Sequence, residues 1–307
     1  MRNSFINRLT ELAEDDSRIF VICGDLGYSV LEPFARKFPD RFLNIGIAEQ
    51  NMLQVATGLS FEGYNVFTYS IGNFPTLRCM EQIRYDVCYH KANVKIVAVG
   101  AGYAYGPLGV SHHTTEDIAM LRALPGMVVT APGDPIEAVA LADWLSQHTG
   151  PGYIRLNKTG EPHVHSSPIK MDPGSLIEVT QGKECAVLCC GSVLPLIAKE
   201  MEDNALPWAL YSAPFVAPMN PTGLMQLANQ FESLVTVEEH QLSGGFGSAV
   251  IEIFSDLYES GAISRMPPVR RVGIRNRFIS VAGSQEYLRA QSQITLSGTF
   301  QKKQRDN

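Results

Sequence analysis

Two stretches of the chain place reactive side chains beside the glycines that loop chemistry needs. In Asn44-Ile45-Gly46-Ile47-Ala48-Glu49-Gln50-Asn51-Met52 an apolar run ends, and Glu49 stands in the first turn of a helical pattern. A carboxyl there complements the helix dipole, and that alone would account for it. Flanked by Ile45, Ile47 and Ala48, it is also expected to be desolvated, the condition under which a carboxyl shares a proton. The second stretch is Gly100-Ala101-Gly102-Tyr103-Ala104-Tyr105-Gly106-Pro107-Leu108-Gly109-Val110-Ser111-His112-His113. A glycine-rich loop at the carboxyl end of a parallel strand is where α/β proteins bind ligands. Its histidine pair is therefore read as functional in preference to core packing. A third cluster, Glu238-Glu239-His240, offers acid–base groups. It ends a strand pattern just before the Gly244-Gly245-Phe246-Gly247 turn, so its reading is structural.

The elements that must position these groups alternate along the chain. Strand patterns cover residues 18–25, 42–47, 65–70, 94–101, 127–131, 153–156, 185–191, 208–212, 233–239 and 269–274. Helical patterns cover 4–14, 30–38, 49–61, 77–90, 115–124, 135–147, 221–230, 245–255 and 284–290. Continuous apolar runs such as Ile19-Phe20-Val21-Ile22-Cys23 fit strands buried on both faces of a parallel sheet. The expected fold class is α/β, with two doubly wound domains and mostly parallel sheets. The break between about Thr159 and Gly182 is rich in proline and glycine. The expected division is residues 1–165, a linker at 166–182, and 183–307. The polar stretch from Gly298 to Asn307 is expected to fray.

Composition narrows the function. The chain has 307 residues, 45% of them hydrophobic, against 25 basic and 31 acidic side chains. That suits roughly two globular domains and excludes disorder. A net charge of −6 leaves no basic footprint for nucleic acid. No apolar run reaches the ~18 residues of a membrane span, and no signal-peptide core follows Met1. Cys23, Cys79, Cys88, Cys185, Cys189 and Cys190 form no Cys-x-x-Cys pair. They are expected to be buried, reduced thiols of a cytoplasmic protein.

Taken together, the stretch from Asn44 to Met52, Gln82-Ile83-Arg84-Tyr85-Asp86, Ser111-His112, the run from Glu116 to Pro125, Ala131-Pro132-Gly133-Asp134 and Val237-Glu238-Glu239-His240 resemble the transketolase family of thiamine-diphosphate enzymes. The resemblance is to the second half of a transketolase chain, its pyrimidine-binding domain followed by its C-terminal domain. It implies transfer of a two-carbon ketol unit from a ketose to an aldehyde. It implies that Glu49 hydrogen-bonds the aminopyrimidine of thiamine diphosphate and that Phe74 stacks on that ring; plain core packing is the alternative for Phe74. Asp25 and Gln50 match positions near the cofactor, and His112 a position at the reacting carbonyl. Arg2 and Ser29 match positions that hold a sugar phosphate, although an arginine so near the terminus could equally be unplaced. Lys158 stands where an arginine usually does, which keeps the charge and loses the bidentate fork.

Several positions depart from the family pattern. Ile71 and Leu77 replace aromatics, so the pocket stays apolar with another shape. Leu108 replaces an aspartate that reads the acceptor hydroxyl, and Gly100 replaces a phosphate-binding histidine. A deoxygenated, branched or otherwise modified sugar, or a non-sugar aldehyde, is therefore expected in place of the standard pentose phosphates. The Gly-Asp-Gly motif for Mg²⁺ and diphosphate is absent: Gly24-Asp25-Leu26 and Gly133-Asp134-Pro135 both fail at the third position. The resemblance thus implies a split enzyme, with a separately encoded diphosphate-binding subunit in an α2β2 heterotetramer. The loops at 72–76 and 102–111 are expected at that interface, and the C-terminal domain is expected to support dimerisation. The rival readings are the β subunit of a 2-oxoacid dehydrogenase, whose glutamate motif continues differently, and a non-catalytic subunit that kept the fold. A 1-deoxyxylulose-5-phosphate synthase normally carries both halves in one chain.

Overall fold

A computed structural model describes residues 1–158 and 160–297. Thr159, at the start of the expected break, and the stretch from Gly298 to Asn307 lie outside the described residues. The strands are β1 (Ile19–Cys23), β2 (Phe42–Asn44), β3 (Asn65–Ile71), β4 (Val94–Val99), β5 (Val128–Thr130), β6 (Gly152–Leu156), β7 (Ile177–Thr180), β8 (Cys185–Cys190), β9 (Ala209–Ser212), β10 (Phe215–Ala217), β11 (Ser233–Gln241) and β12 (Val269–Ile274). The α-helices are α1 (Arg2–Asp15), α2 (Glu32–Lys37), α3 (Glu49–Phe61), α4 (Met80–Gln82), α5 (Asp117–Arg122), α6 (Pro135–Gln147), α7 (Leu194–Asp203), α8 (Pro221–Gln230), α9 (Phe246–Glu259) and α10 (Gln285–Gln291).

Two sheets result. The first has the order β10-β5-β6-β4-β3-β1-β2 and the second β12-β11-β8-β9-β7. Pairing is parallel except where β10 meets β5 and β7 meets β9. The apolar runs have the expected cause. Ile22, Val66, Ile96 and Val129 pack on one face of the first sheet. Their neighbours Val21, Phe67, Val97 and Val128 pack on the other. The first of these clusters continues into Ala186, Leu188 and Leu234 of the second sheet, so one core joins the two halves.

Every strand expected from the sequence forms, and the structure adds others. β7 forms inside the segment read as a linker and edges the second sheet. β10 returns from beyond that segment to edge the first sheet, with Phe215 opposite Thr130. The single helix expected at 77–90 is three pieces: a 3₁₀ turn at Leu77–Cys79, α4, and a π-helix at Ile83–Tyr89. Helix α7 has no counterpart among the expected elements, although Leu194, Ile197 and Met201 carry its buried stripe. Caps mark other helix starts: Asp134 accepts from Glu137 N at 2.9 Å and Asn220 from Thr222 N at 2.9 Å, each followed by proline.

Candidate active site

The expected site residues gather at the carboxyl ends of neighbouring parallel strands. Asp25 follows β1, Glu49 follows β2, Ile71 ends β3 with Phe74 just beyond, the glycine-rich loop follows β4, and Lys158 follows β6. Chain order is thereby converted into one sheet edge, the kind of edge at which α/β folds bind ligands.

Glu49 opens α3 and is 2% exposed. Gly24 makes room for it: a Cβ there would lie 3.5 Å from Glu49 Cγ. Its wall differs from the apolar one expected, because Ile47 is 78% exposed. Instead the guanidinium of Arg78 donates to Glu49 Oε2 at 2.8 Å. The same guanidinium lies 5.2 Å from the centre of the Phe74 ring. Phe74 in turn meets His112 edge-on, with ring centres 5.3 Å apart. Gln50 donates to the Arg78 carbonyl at 3.2 Å. A pocket of about 300 Å³ opens here, lined by Ala48, Glu49, Gln50, Asn51, Gln54 and Arg78 among others. Leu77 at its margin is 48% exposed. Arg78 escaped the sequence reading because its partner lies 29 positions away. Its offset of one turn from Phe74 was the available signal.

The histidine pair divides its labour. His112 faces Phe74, and its Nδ1 lies 3.0 Å from Ser111 Oγ. His113 is buried against Tyr103, ring centres 5.0 Å apart, and burial lowers its pKa. It packs as a core histidine, which leaves His112 as the member of the pair that faces Phe74.

The phosphate candidates meet on a residue the sequence reading passed over. Lys158 Nζ lies 5.1 Å from the centre of the Tyr105 ring. Arg2, the first residue of α1, interacts with both Tyr105 and Tyr69. Its Nε also donates to Asn3 Oδ1 at 3.2 Å. Tyr105 also explains Gly100, whose φ is +97°: a Cβ there would lie 2.3 Å from Tyr105 Cδ2. Ser29 stands apart, with φ +64° and its amide donating to Glu32 Oε1 at 2.7 Å. Asp25 is held by Asn44 Nδ2 and Tyr28 OH, at 3.1 and 3.2 Å. Leu108 is 55% exposed on the outer limb of the loop.

The inner limb of that loop is covered from within the chain. Glu239 accepts from Tyr103 N at 2.6 Å, and a Cβ on Gly106 would strike Gly283 O. Gly72 and Thr76 are likewise buried. Of the two loops expected at a partner interface, 72–76 has no exposed residue and 102–111 exposes Pro107, Leu108, Val110 and Ser111; Leu77, just after the first loop, is exposed as well. The acidic cluster of β11 does the fastening. Glu239 also binds Arg289 at 2.6 Å. Glu238 takes the amides of Phe246 and Gly247 at 2.7 and 2.9 Å and caps α9; burial lifts its pKa to about 7.

One group of three side chains among the described residues has metal-ligand proximity: Asp134, Glu137 and His165. Internal donors already occupy it. Asp134 Oδ2 accepts from the amides of Val164 and His165 at 2.9 and 3.0 Å, and Glu137 Oε2 from Gly133 N at 2.6 Å. All six cysteines are buried. No helix among the described residues is long and apolar enough to cross a membrane.

Comparison with known proteins agrees with this geometry. Residues 1–161 match the transketolase pyrimidine-binding domain and residues 174–294 the transketolase C-terminal domain. The chain is 30% identical to an apulose-4-phosphate transketolase subunit of Actinobacillus succinogenes, over 88% of this chain and 86% of that one. It is 29% identical to the 6-deoxy-6-sulfo-D-fructose transketolase subunit SqwH of Clostridium sp. strain MSTE9, over 96% and 90%. Among solved structures, a split-gene transketolase described as an inactive β4 tetramer superposes with a TM-score of 0.83 at 34% identity, covering 96% of this chain and 93% of that one. With both halves matched in order, and relatives aligned along nearly their full length, this chain belongs to the transketolase family.

Proposed function

We propose that this chain is the pyrimidine-side subunit of a split, thiamine-diphosphate-dependent transketolase that moves a two-carbon ketol unit from a ketose or its phosphate to an aldehyde. The observation that carries the reading is the buried Glu49 carboxyl beside Phe74 and His112 at the carboxyl edge of the sheet. These residues fit the aminopyrimidine half of the cofactor: a buried acceptor, a flat ring, and an apolar margin in Ile71 and Leu77. Bound there, the cofactor supplies the carbon nucleophile that accepts and hands on the two-carbon unit.

With Arg78 on Oε2, Glu49 would hold the aminopyrimidine through its carboxyl and share a proton with a ring nitrogen. Asp25 and Gln50 close the rim. In the tautomer in which Ser111 Oγ donates to Nδ1, His112 would keep its proton on Nε2 and offer it to the oxygen on which charge develops. Arg2 and Lys158, gathered on Tyr105, hold a substrate phosphate, with Ser29 farther out. Leu108 cannot accept a hydroxyl hydrogen bond, which favours a modified acceptor sugar. Two relatives bear the names of enzymes for unusual sugars, which supports this choice.

The diphosphate and Mg²⁺ ligands come from a partner subunit, in an α2β2 assembly. The tied-up state of Asp134, Glu137 and His165 supports that division. Residues 1–165 form the pyrimidine-side domain and 183–307 the second domain, in a cytoplasmic enzyme. The test is calorimetry of thiamine diphosphate with Mg²⁺ on this chain alone and with the separately encoded partner, followed by transfer assays of Glu49→Ala in the complex. Binding only with the partner, and at least about a 100-fold loss of activity, is expected. Tight binding to this chain alone refutes the split site, and unchanged activity in the variant refutes the role of Glu49.

A further inference from the structure

The second sheet ends at β12, which among the described residues pairs only with β11. Arg270 and Arg271 leave this strand on opposite faces, and Arg275 follows it by one residue. Gln293, Thr295 and Ser297 run alongside and complete a pocket of about 280 Å³. Its lining among the described residues includes no aspartate or glutamate. None of the three guanidinia belongs to an ion pair among the described residues. Arg271 commits only Nη1, to Leu242 O and Ser248 Oγ at 3.0 and 2.9 Å. The acid beside Thr295 is Glu200, and its oxygens are taken by Thr295 Oγ1 and Leu296 N at 2.5 and 3.0 Å.

Three arginines line this one pocket and no acid does, in a chain whose net charge is −6. An oxyanion is the ligand that such a lining attracts. Guanidinium forks match the oxygens of a phosphate group. We propose that this pocket is a phosphate-binding site of the second half, separate from the edge that carries Glu49. Its volume suits free phosphate or a small phosphorylated metabolite. The proposal does not depend on the transfer reaction proposed above.

The test is calorimetry of inorganic phosphate on the full chain, against chloride at matched ionic strength. Arg270→Gln/Arg275→Gln is compared with a control pair at exposed sites, Arg36→Gln/Lys170→Gln. Saturable binding that weakens about tenfold or more in the first pair, and stays unchanged in the control, is expected. Ribose 5-phosphate and ribose then identify the source. Tighter binding of the sugar phosphate, lost in the same variant, assigns an organic phosphate; equal binding assigns the free anion. No binding beyond chloride, equal weakening in both variant pairs, or full binding in the arginine variant overturns the proposal. If the double variant fails to fold, Arg275→Gln alone, at an exposed position, decides the same question.

Discussion

Replacing Arg155 with methionine should loosen one half of the chain from the other. The Arg155 and Asp117 side chains are each 1% exposed, with Nε donating to Oδ2 at 2.8 Å. Tyr153 OH donates to the same oxygen at 2.5 Å. Arg155 Nη2 reaches both Thr114 O, at 2.5 Å, and Glu239 O on β11, at 2.9 Å, and so spans the two sheets. Methionine fills the volume but leaves Asp117 charged and buried, with Oδ1 already lacking a hydrogen-bond partner. Breaking a pair of this kind costs about 3–5 kcal/mol, against a total stability of roughly 5–15 kcal/mol. Adding Asp117→Asn removes the stranded charge and keeps the Tyr153 bond, so the double variant should recover about half of the loss. Urea unfolding reads this directly, because the two tryptophans divide between the halves: Trp144 on α6 and Trp208 just before β9. The single variant should show separate transitions for the two tryptophans. A loss below about 1 kcal/mol, or a double variant no better than the single one, would refute the view that this pair fastens the sheets.

Other perturbations follow from the same geometry. Leu108→Asp, at an exposed position, should leave stability within about 0.5 kcal/mol; in the reconstituted complex it should raise the kcat/KM ratio of a 2-hydroxy aldehyde over its deoxy analogue about tenfold. Gly100→Ala should cost about 1–3 kcal/mol by chemical denaturation, from its positive φ and the collision with Tyr105. His165 is a pH probe. Burial works against its charge, but the hydrogen bond and charge of Glu137, with Asp134, raise its pKa on balance. Its stabilisation is therefore complete below the unfolded value of 6.5 and is lost as pH rises through the higher folded value. The stability gap between the wild type and His165→Gln should thus narrow as pH rises above 6.5. The opposite sign applies to His113, His148 and His240, each lowered by burial. They should make the chain less stable as pH falls below about 6.5.

Legibility in the sequence followed the reach of each interaction. Glu49 could be placed because a strand, a glycine and a helix start are local signals, and the buried runs of β1 and β4 announced a sheet covered on both faces. The strands β7 and β10 escaped because three or four residues carry too little alternation to read, and both owe their form to partners far along the chain. The π-helix at Ile83–Tyr89 escaped because widened turns leave the spacing of apolar residues nearly unchanged. At the site, Phe74, His112 and Lys158 were legible as motif positions. Their neighbours Arg78 and Tyr105 were not, since only the folded sheet edge brings them to Glu49 and Gly100. Gly100 shows the difference well: in sequence it is a missing histidine, and in the fold it is the floor beneath a tyrosine.

The position of β10 has a consequence for how the chain is made. Residues 215–217 complete the edge of a sheet whose other strands end at Leu156. During synthesis the first half can therefore assemble six strands, yet β5 keeps a bare rim until some sixty further residues have emerged. In the interval that rim can recruit a strand from a neighbouring nascent chain. A fragment cut at the linker would keep the same rim permanently, so dissection of this protein into halves should yield an aggregating first half, whereas cutting beyond residue 217 spares it.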